Sequence, residues 1–380
     1  MNRIDNFHAS VNHVQPDNLM LDLGGCPLSS MEGKSQYKLL DLLGFPLPKP
    51  QKFLFGKVQR LENSILEYLD IDTRSVGEIL RPEHSQFDMI NENLYIDEWG
   101  IKRKFTGLYW DIVENPLRNA TKDDLDKYEF PNGDTLNMSQ IEEIGLAARR
   151  LFKEGNYVIC AEHPVYGVFE LGCWLCGFEE FLARLIEDTG FVHKLFEKIL
   201  DYQKKVIEVY YSALGPYIHY TSSGDDFAMQ KNLFMSPANF RELVMPYFKE
   251  RIVYTKRFTN ALYLHHSCGN VASLIPELLE SGVDILNPIQ PVTKEMQPQE
   301  LKNKYGKDII FHGGIDIQNL LLNGSKEGIE EGVKEVIDSM NQDGGYIFAA
   351  AHNIQEDIPP EHVLYMFEAA RRFGKKKEGG

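Results

Sequence analysis

Short apolar runs alternate with helix-period segments through the second half of this chain, and a chain with that rhythm builds a mainly parallel sheet covered by helices. The runs are Ala261–Leu264, Asp284–Asn287, Asp308–Phe311 and Gly345–Ala350, with helical segments beginning near Val271, Gln299 and Ser325 and a last one after Pro360. In Ser325–Met340, the residues Ile329, Val333, Val336, Ile337 and Met340 recur at the spacing of one helical stripe. Pro359-Pro360 marks the start of the last helix. Upstream, Tyr157–Ala161 and Tyr217–Tyr220 read as two more strands, separated by a helical stretch from about Phe178 to Leu214. These six strands imply eight by completion, because parallel strands with helical crossovers close at that number in a (β/α)8 TIM barrel.

The first part of the chain is less regular. Ser35–Asp70 reads as mostly helical and Asn93–Phe105 as an extended or hairpin segment. The expected organisation is a mostly helical N-terminal extension over residues 1–90, packed on an α/β barrel over residues 91–380. An open doubly wound sheet would show the same alternation, but no G-x-G-x-x-G follows a strand to cradle a nucleotide. The lysine-rich tail from Lys375 to Gly380 reads as a solvated end.

A net charge of −16 opposes binding to nucleic acid or an anionic membrane surface. A neutral small molecule or another protein is the expected partner. Met1–Pro16 carries no apolar signal core and no run of 18 apolar residues occurs, which points to a cytoplasmic protein. The five scattered cysteines do not form the framework of a small secreted domain and are expected reduced. Among them, Cys173-Trp174-Leu175-Cys176 reads as helix packing, since no second pair accompanies it.

Several clusters fall at predicted C-terminal strand ends, where barrel enzymes place their chemistry. In Leu264-His265-His266-Ser267-Cys268-Gly269-Asn270, His266 and Cys268 lie two apart and share a face, so both can offer a donor atom to one zinc ion. His352, ending the last predicted strand, is the candidate third ligand, leaving the fourth position open as in catalytic zinc sites. Packed or hydrogen-bonded histidines and an ordinary buried cysteine would fit the same spacing. Asp225 and Asp226 follow another strand, and paired carboxylates there require a cation, a proton or a donor. A helix or turn cap beside a solvated carboxylate would also account for them. Glu162, Tyr166, Gln230 and Asp316 stand in other candidate mouth loops, as substrate contacts. The signatures of serine hydrolases, P-loop hydrolases and zincin proteases are absent.

The run from His266-Ser267-Cys268-Gly269-Asn270 through Gly282-Val283-Asp284-Ile285-Leu286-Asn287-Pro288, Gly313-Gly314-Ile315-Asp316, Gly344-Gly345-Tyr346-Ile347 and His352-Asn353-Ile354-Gln355 resembles the uroporphyrinogen decarboxylase superfamily. Asp225-Asp226 with Gln230 is similar to it as well. The resemblance implies either decarboxylation or cobalamin-dependent methyl transfer. The Arg-Gln-Ala-Gly-Arg motif of the true decarboxylases is missing, and the mouth loops carry Glu162, Asp225, Asp226 and Asp316 rather than the positive charge a polycarboxylate requires. The methyltransferase branch holds zinc through an H-x-C pair, matched by His266 and Cys268, and a later cysteine, where this chain offers His352. The resemblance therefore implies the methyltransferase component of an O-demethylase, acting on a methoxylated aromatic. Zinc would be bound, Asp225 or Asp226 would be catalytic, and cobalamin would ride on a separate corrinoid protein. No Asp-x-His-x-x-Gly cobalamin module occurs in this sequence. A decarboxylase of another acid, a non-catalytic tetrapyrrole- or corrinoid-binding protein, and a homodimer remain open on the same resemblance.

Overall fold

The structure, a computed structural model, describes residues 1–48, 60–81, 88–107, 110–291 and 293–376. Its strands are β1 Met20–Leu21, β2 Thr73–Val76, β3 Asp88–Asn91, β4 Leu94–Ile96, β5 Lys102–Phe105, β6 Trp110–Glu114, β7 Val158–Glu162, β8 Tyr220–Gly224, β9 Leu262–His266, β10 Ile285–Ile289, β11 Ile310–Ile315 and β12 Tyr346–Ala350. Eight of them form one sheet in the order β1-β12-β11-β10-β9-β8-β7-β2, every pairing parallel. Between the two terminal strands of that order, the Leu21 amide donates to the Asp72 carboxylate at 2.8 Å and the Asp72 amide donates to the Leu21 carbonyl at 3.1 Å. The protein is a (β/α)8 barrel.

Strand parity divides the core in two. Met20, Val158, Cys160, Tyr220, Leu264, Ile285, Ile310 and Ile347 form one buried cluster inside the barrel. The alternate positions, such as Ile159, Tyr263, Leu286, Phe311 and Phe348, belong to the larger cluster that includes the surrounding helices. Toward the C-terminal ends of the strands the interior turns polar: Asp22 just past β1, Ser222, His266, Asn287 and His312 are all buried. That change of character puts the candidate site at this end.

The helices form where the periodicity predicts them. Lys326–Met340 begins on Ser325, whose hydroxyl accepts the Gly328 amide, and buries Ile329, Val333, Ile337 and Met340. The stretch ahead of β8 is two helices, Phe178–Glu187 and Thr189–Leu214. Both cysteines of the C-x-x-C sequence are buried in the helix Val168–Cys176, and all five cysteines are free.

The structure differs from the sequence expectation in several places. Residues 1–90 supply β1 and β2, so they are not only an extension packed outside the barrel. β1 has only two residues, and β2 (Thr-Arg-Ser-Val) is mostly polar, which hides them from a pattern search. Asn93–Phe105, by contrast, is the hairpin its pattern predicts, β4 and β5 of a separate four-stranded antiparallel sheet, β3-β4-β5-β6. β8 starts only at Tyr220, because Gly215–Tyr217, with Pro216, forms a 3-10 turn. Gly313 and Gly314 lie within β11 at φ of 106° and 104°, conformations that favour glycine. At the C-terminus the Lys376 amide donates to the Asp17 carbonyl at 2.9 Å, tying down the start of the expected solvated tail, and Lys377–Gly380 lie outside the described residues. Among the described residues, no helix is long and apolar enough to cross a membrane.

Candidate metal centre at the barrel mouth

β9 carries two adjacent histidines with opposite fates. His265 points outward and is fully buried between the rings of Phe227 and Phe248, at centroid distances of 5.3 and 4.6 Å. His266 points inward, and its Nε2 lies 3.2 Å from the Sγ of Cys268. From the end of β12, His352 brings its ring to 5.6 Å from that of His266, edge to face. One donor atom from each of His266, Cys268 and His352 falls within 4.8 Å of the others.

The three residues fit a metal ion chemically. Two donors on one tetrahedral zinc stand about 3.5 Å apart, so the His266–Cys268 pair already has the required spacing and His352 needs a small approach. His352 Nδ1 is buried without a hydrogen-bond partner, as a ring nitrogen reserved for a ligand would be. Burial holds the His266 imidazole down at about 4 and lowers that of His352, so both rings are neutral donors at pH 7. Burial, together with the charges of Asp226 and Glu170, raises the Cys268 thiol, which makes an uncompensated thiolate unfavourable there. A cation would reverse that balance.

The two aspartates after β8 do different work. Asp226 accepts the Cys268 amide at 2.8 Å, and the same oxygen lies 3.8 Å from His266 Nε2. Asp225 is fully buried and accepts the amides of Phe169 and Glu170 at 3.2 and 2.9 Å, capping the helix Val168–Cys176. Burial raises Asp225 to about 6, against the pull of the Arg251 guanidinium and the two amides. Gly167 is required beside it, since a Cβ there would occupy the space of the Asp225 carboxylate.

The other expected contacts are spread around the rim. Glu162 ends β7, and burial with the nearby Glu78 raises it to about 8, opposed by Arg60 and Arg81. Tyr166 packs edge-on against Trp174 at 5.0 Å, while its carbonyl accepts from Arg251 and Gln203. Gln230 is exposed and donates to Gln318, whose amide in turn donates to the Asp316 carboxylate at 2.7 Å. The structure thus joins Gln230 and Asp316 through Gln318.

Beside Asp226 opens a cavity of about 440 Å³ whose lining includes Ile112, Phe169, Glu170, Trp174, Phe178 and Phe234. Sequence reasoning missed Glu170, which burial and the neighbouring aspartates push well above the usual carboxylate range. It also missed the polar residues beneath His266. The Nδ1 of His266 meets Asn287 Oδ1 at 2.6 Å, Asn287 Nδ2 meets His312 Nδ1 at 2.6 Å, and His312 Nε2 meets Asp22 Oδ2 at 2.8 Å. Asp22 in the apolar run Met20-Leu21-Asp22-Leu23 was the available signal, since a lone carboxylate in such a run needs a partner.

The sequence profile of the uroporphyrinogen decarboxylase (URO-D) family matches residues 108–373, well over half of the chain. The chain belongs to the uroporphyrinogen decarboxylase family. Among curated members, "Uroporphyrinogen decarboxylase 2, chloroplastic" of Arabidopsis thaliana is 25% identical over 272 residues, 68% of this chain and 62% of that protein. The uroporphyrinogen decarboxylase of Geobacter metallireducens is 25% identical over 142 residues, 37% of this chain and 39% of its own length. The chain therefore spans less than two thirds of these two curated relatives. A solved methyltransferase from Methanosarcina mazei superposes with a TM-score of 0.64 over 98% of this chain and 99% of its own, at 15% identity, a likeness of fold. Family membership makes the chain's barrel that of an enzyme family, and its mouth the place to seek the chemistry.

Proposed function

We propose that this member of the URO-D family is a methyltransferase that moves a methyl group from a methoxylated aromatic to the Co(I) corrinoid of a separate partner protein. The observation that carries this reading is the cluster of His266, Cys268 and His352 at the barrel mouth. These three residues would hold a zinc ion, which when bound supplies Lewis acidity toward the oxygen bearing the methyl group. The aromatic lining of the cavity beside Asp226 suits a planar aromatic ring.

The protein groups have separable roles in this reading. Asp226 fixes the Cys268 backbone through its amide and stands beside the ligand cluster, where it orients the substrate. Asp225 keeps the helix Val168–Cys176 seated, and with it the Phe169 and Trp174 walls of the cavity. Glu162, raised to about 8, is protonated at neutral pH and can donate a proton or a hydrogen bond at the rim. Tyr166, Gln230 and Asp316 contact the substrate or its approach. The corrinoid protein docks over the open mouth. A cytoplasmic location and a homodimer complete the proposal.

The test is metal analysis of the purified protein, followed by methyl transfer from a panel of methoxylated aromatics to free cob(I)alamin. Methylation of the corrinoid that requires the metal supports the reading. The curated relatives favour a second one, decarboxylation. Carbon dioxide release from uroporphyrinogen without any corrinoid would establish that alternative and overturn methyl transfer.

A further inference from the structure

The buried polar residues beneath His266 form a single chain that crosses the barrel from β9 to the segment after β1. It runs from His266 to Asn287 on β10, to His312 on β11 and to Asp22, each link 2.6 to 2.8 Å long. Asp22, Asn287 and His312 are completely buried and His266 is 4% exposed, so no solvent competes for these links.

Donor and acceptor rules fix the protons along the chain from its acidic end. Asp22 also accepts from the Gly25 amide at 2.9 Å, from the Ser29 hydroxyl at 2.6 Å and from the Thr73 hydroxyl. With these three donors and the His312 ring nitrogen around it, the Asp22 carboxylate serves the chain as an acceptor. His312 therefore carries a proton on Nε2, and its Nδ1, which faces the Asn287 NH2 at 2.6 Å, accepts from it. The Asn287 amide must turn its NH2 toward that nitrogen and its oxygen toward His266. His266 then carries its proton on Nδ1, which leaves Nε2 as a bare lone pair on the side of Cys268 and His352.

We propose that Asp22, His312 and Asn287 are positioning residues that set the tautomer and ring orientation of His266, so that Nε2 is held ready as a metal donor. This rests on the reading of His266 as a ligand. The buried Asp22 carboxylate is also the fixed counter-charge of the site, connected to the ligand through His312 and Asn287. Outer partners that hold a histidine ligand in this way are worth about 10- to 100-fold in metal affinity.

Two measurements on the full-length protein test it. Asn287→Ala removes the acceptor for His266 Nδ1 and should weaken zinc binding about 10- to 100-fold by chelator competition. Asn287→Asp restores an acceptor facing His266 and should recover most of that loss. A purely packing role predicts the opposite order, because a new buried carboxylate harms the fold more than a small cavity does. Independently of any metal, 15N NMR of the histidine-labelled, metal-free protein should show His266 protonated on Nδ1 and His312 on Nε2. Both variants binding zinc as wild type does, or His266 protonated on Nε2, would overturn the proposal. Wild-type protein that binds no zinc would overturn the ligand reading instead, and the tautomer measurement would still decide the arrangement of the chain.

Discussion

Asp225 and Asp226 are adjacent in sequence and serve opposite sides of the β8 loop: Asp225 receives two amides from the helix Val168–Cys176, and Asp226 receives the amide of Cys268. Substitution should therefore separate stability from activity. Asp225→Ala leaves two amides of a buried helix start without partners and should cost about 1–3 kcal/mol or more by urea denaturation. Asp226→Asn should leave the denaturation midpoint within experimental spread while methyl transfer falls at least tenfold. Equal effects of the two variants on stability would remove the distinction.

His352 separates this chain from a site whose third ligand is a thiolate. A neutral imidazole leaves the ion more electron-poor than a second thiolate would, which favours polarising an ether oxygen. His352→Cys should retain most of the metal but slow transfer from an oxygen donor, whereas His352→Ala should lose both metal and activity. Full metal content in His352→Ala would make His352 a substrate contact.

In the metal-free protein, Cys268 should be unreactive. Burial and the charges of Asp226 and Glu170 hold its thiol above the ordinary value of 9.0, and the thiolate is the nucleophile. Alkylation by iodoacetamide at pH 8 should run roughly tenfold or more slower than for a free thiol. Asp226→Asn should speed it. A rate equal to that of free cysteine would show that the thiol is not raised.

At the opposite end of the barrel, His219 Nδ1 accepts the Ile159 amide at 2.9 Å, and burial, with a smaller contribution from His8, lowers the imidazole from 6.5 to about 4. Between these values the unfolded chain binds more protons than the folded one, so the contribution is complete above pH 6.5 and falls as the pH drops toward 4. The part-exposed ring makes this on the order of 1 kcal/mol at pH 5. His219→Asn, which keeps an acceptor near the Nδ1 position and cannot be protonated there, should lose less stability than wild type between pH 7 and pH 5. Identical pH dependence in the two proteins would exclude His219 as the source.

The sequence was most legible where one local rule acted alone. The stripe in Lys326–Met340 and the apolar runs of β9 to β12 have one physical reading, and His266, Cys268 and His352 came to light because strand ends and spacing two apart are visible in a string. β1 and β2 were illegible because the partners that make them strands, β12 and β7, are far away in sequence. The division of labour between Asp225 and Asp226 depends on where a separate helix begins, and the links among Asp22, His312 and Asn287 exist only across the closed barrel. Gln230 and Asp316 are singled out by position alone, and their connection through Gln318 is a property of loop shape.

β1 has only two residues, and its partner is the last strand of the chain, Met20 against Ile347 and Leu21 against Phe348. Contacts of such long sequence separation form late, after the local β-α units have assembled. Until that seam shuts, Asp22 is not beside His312, and the Asn287–His312 pair behind His266 lacks its carboxylate. A newly made chain should therefore acquire its ion only once the barrel has closed, so metal capture would report completed folding rather than drive it.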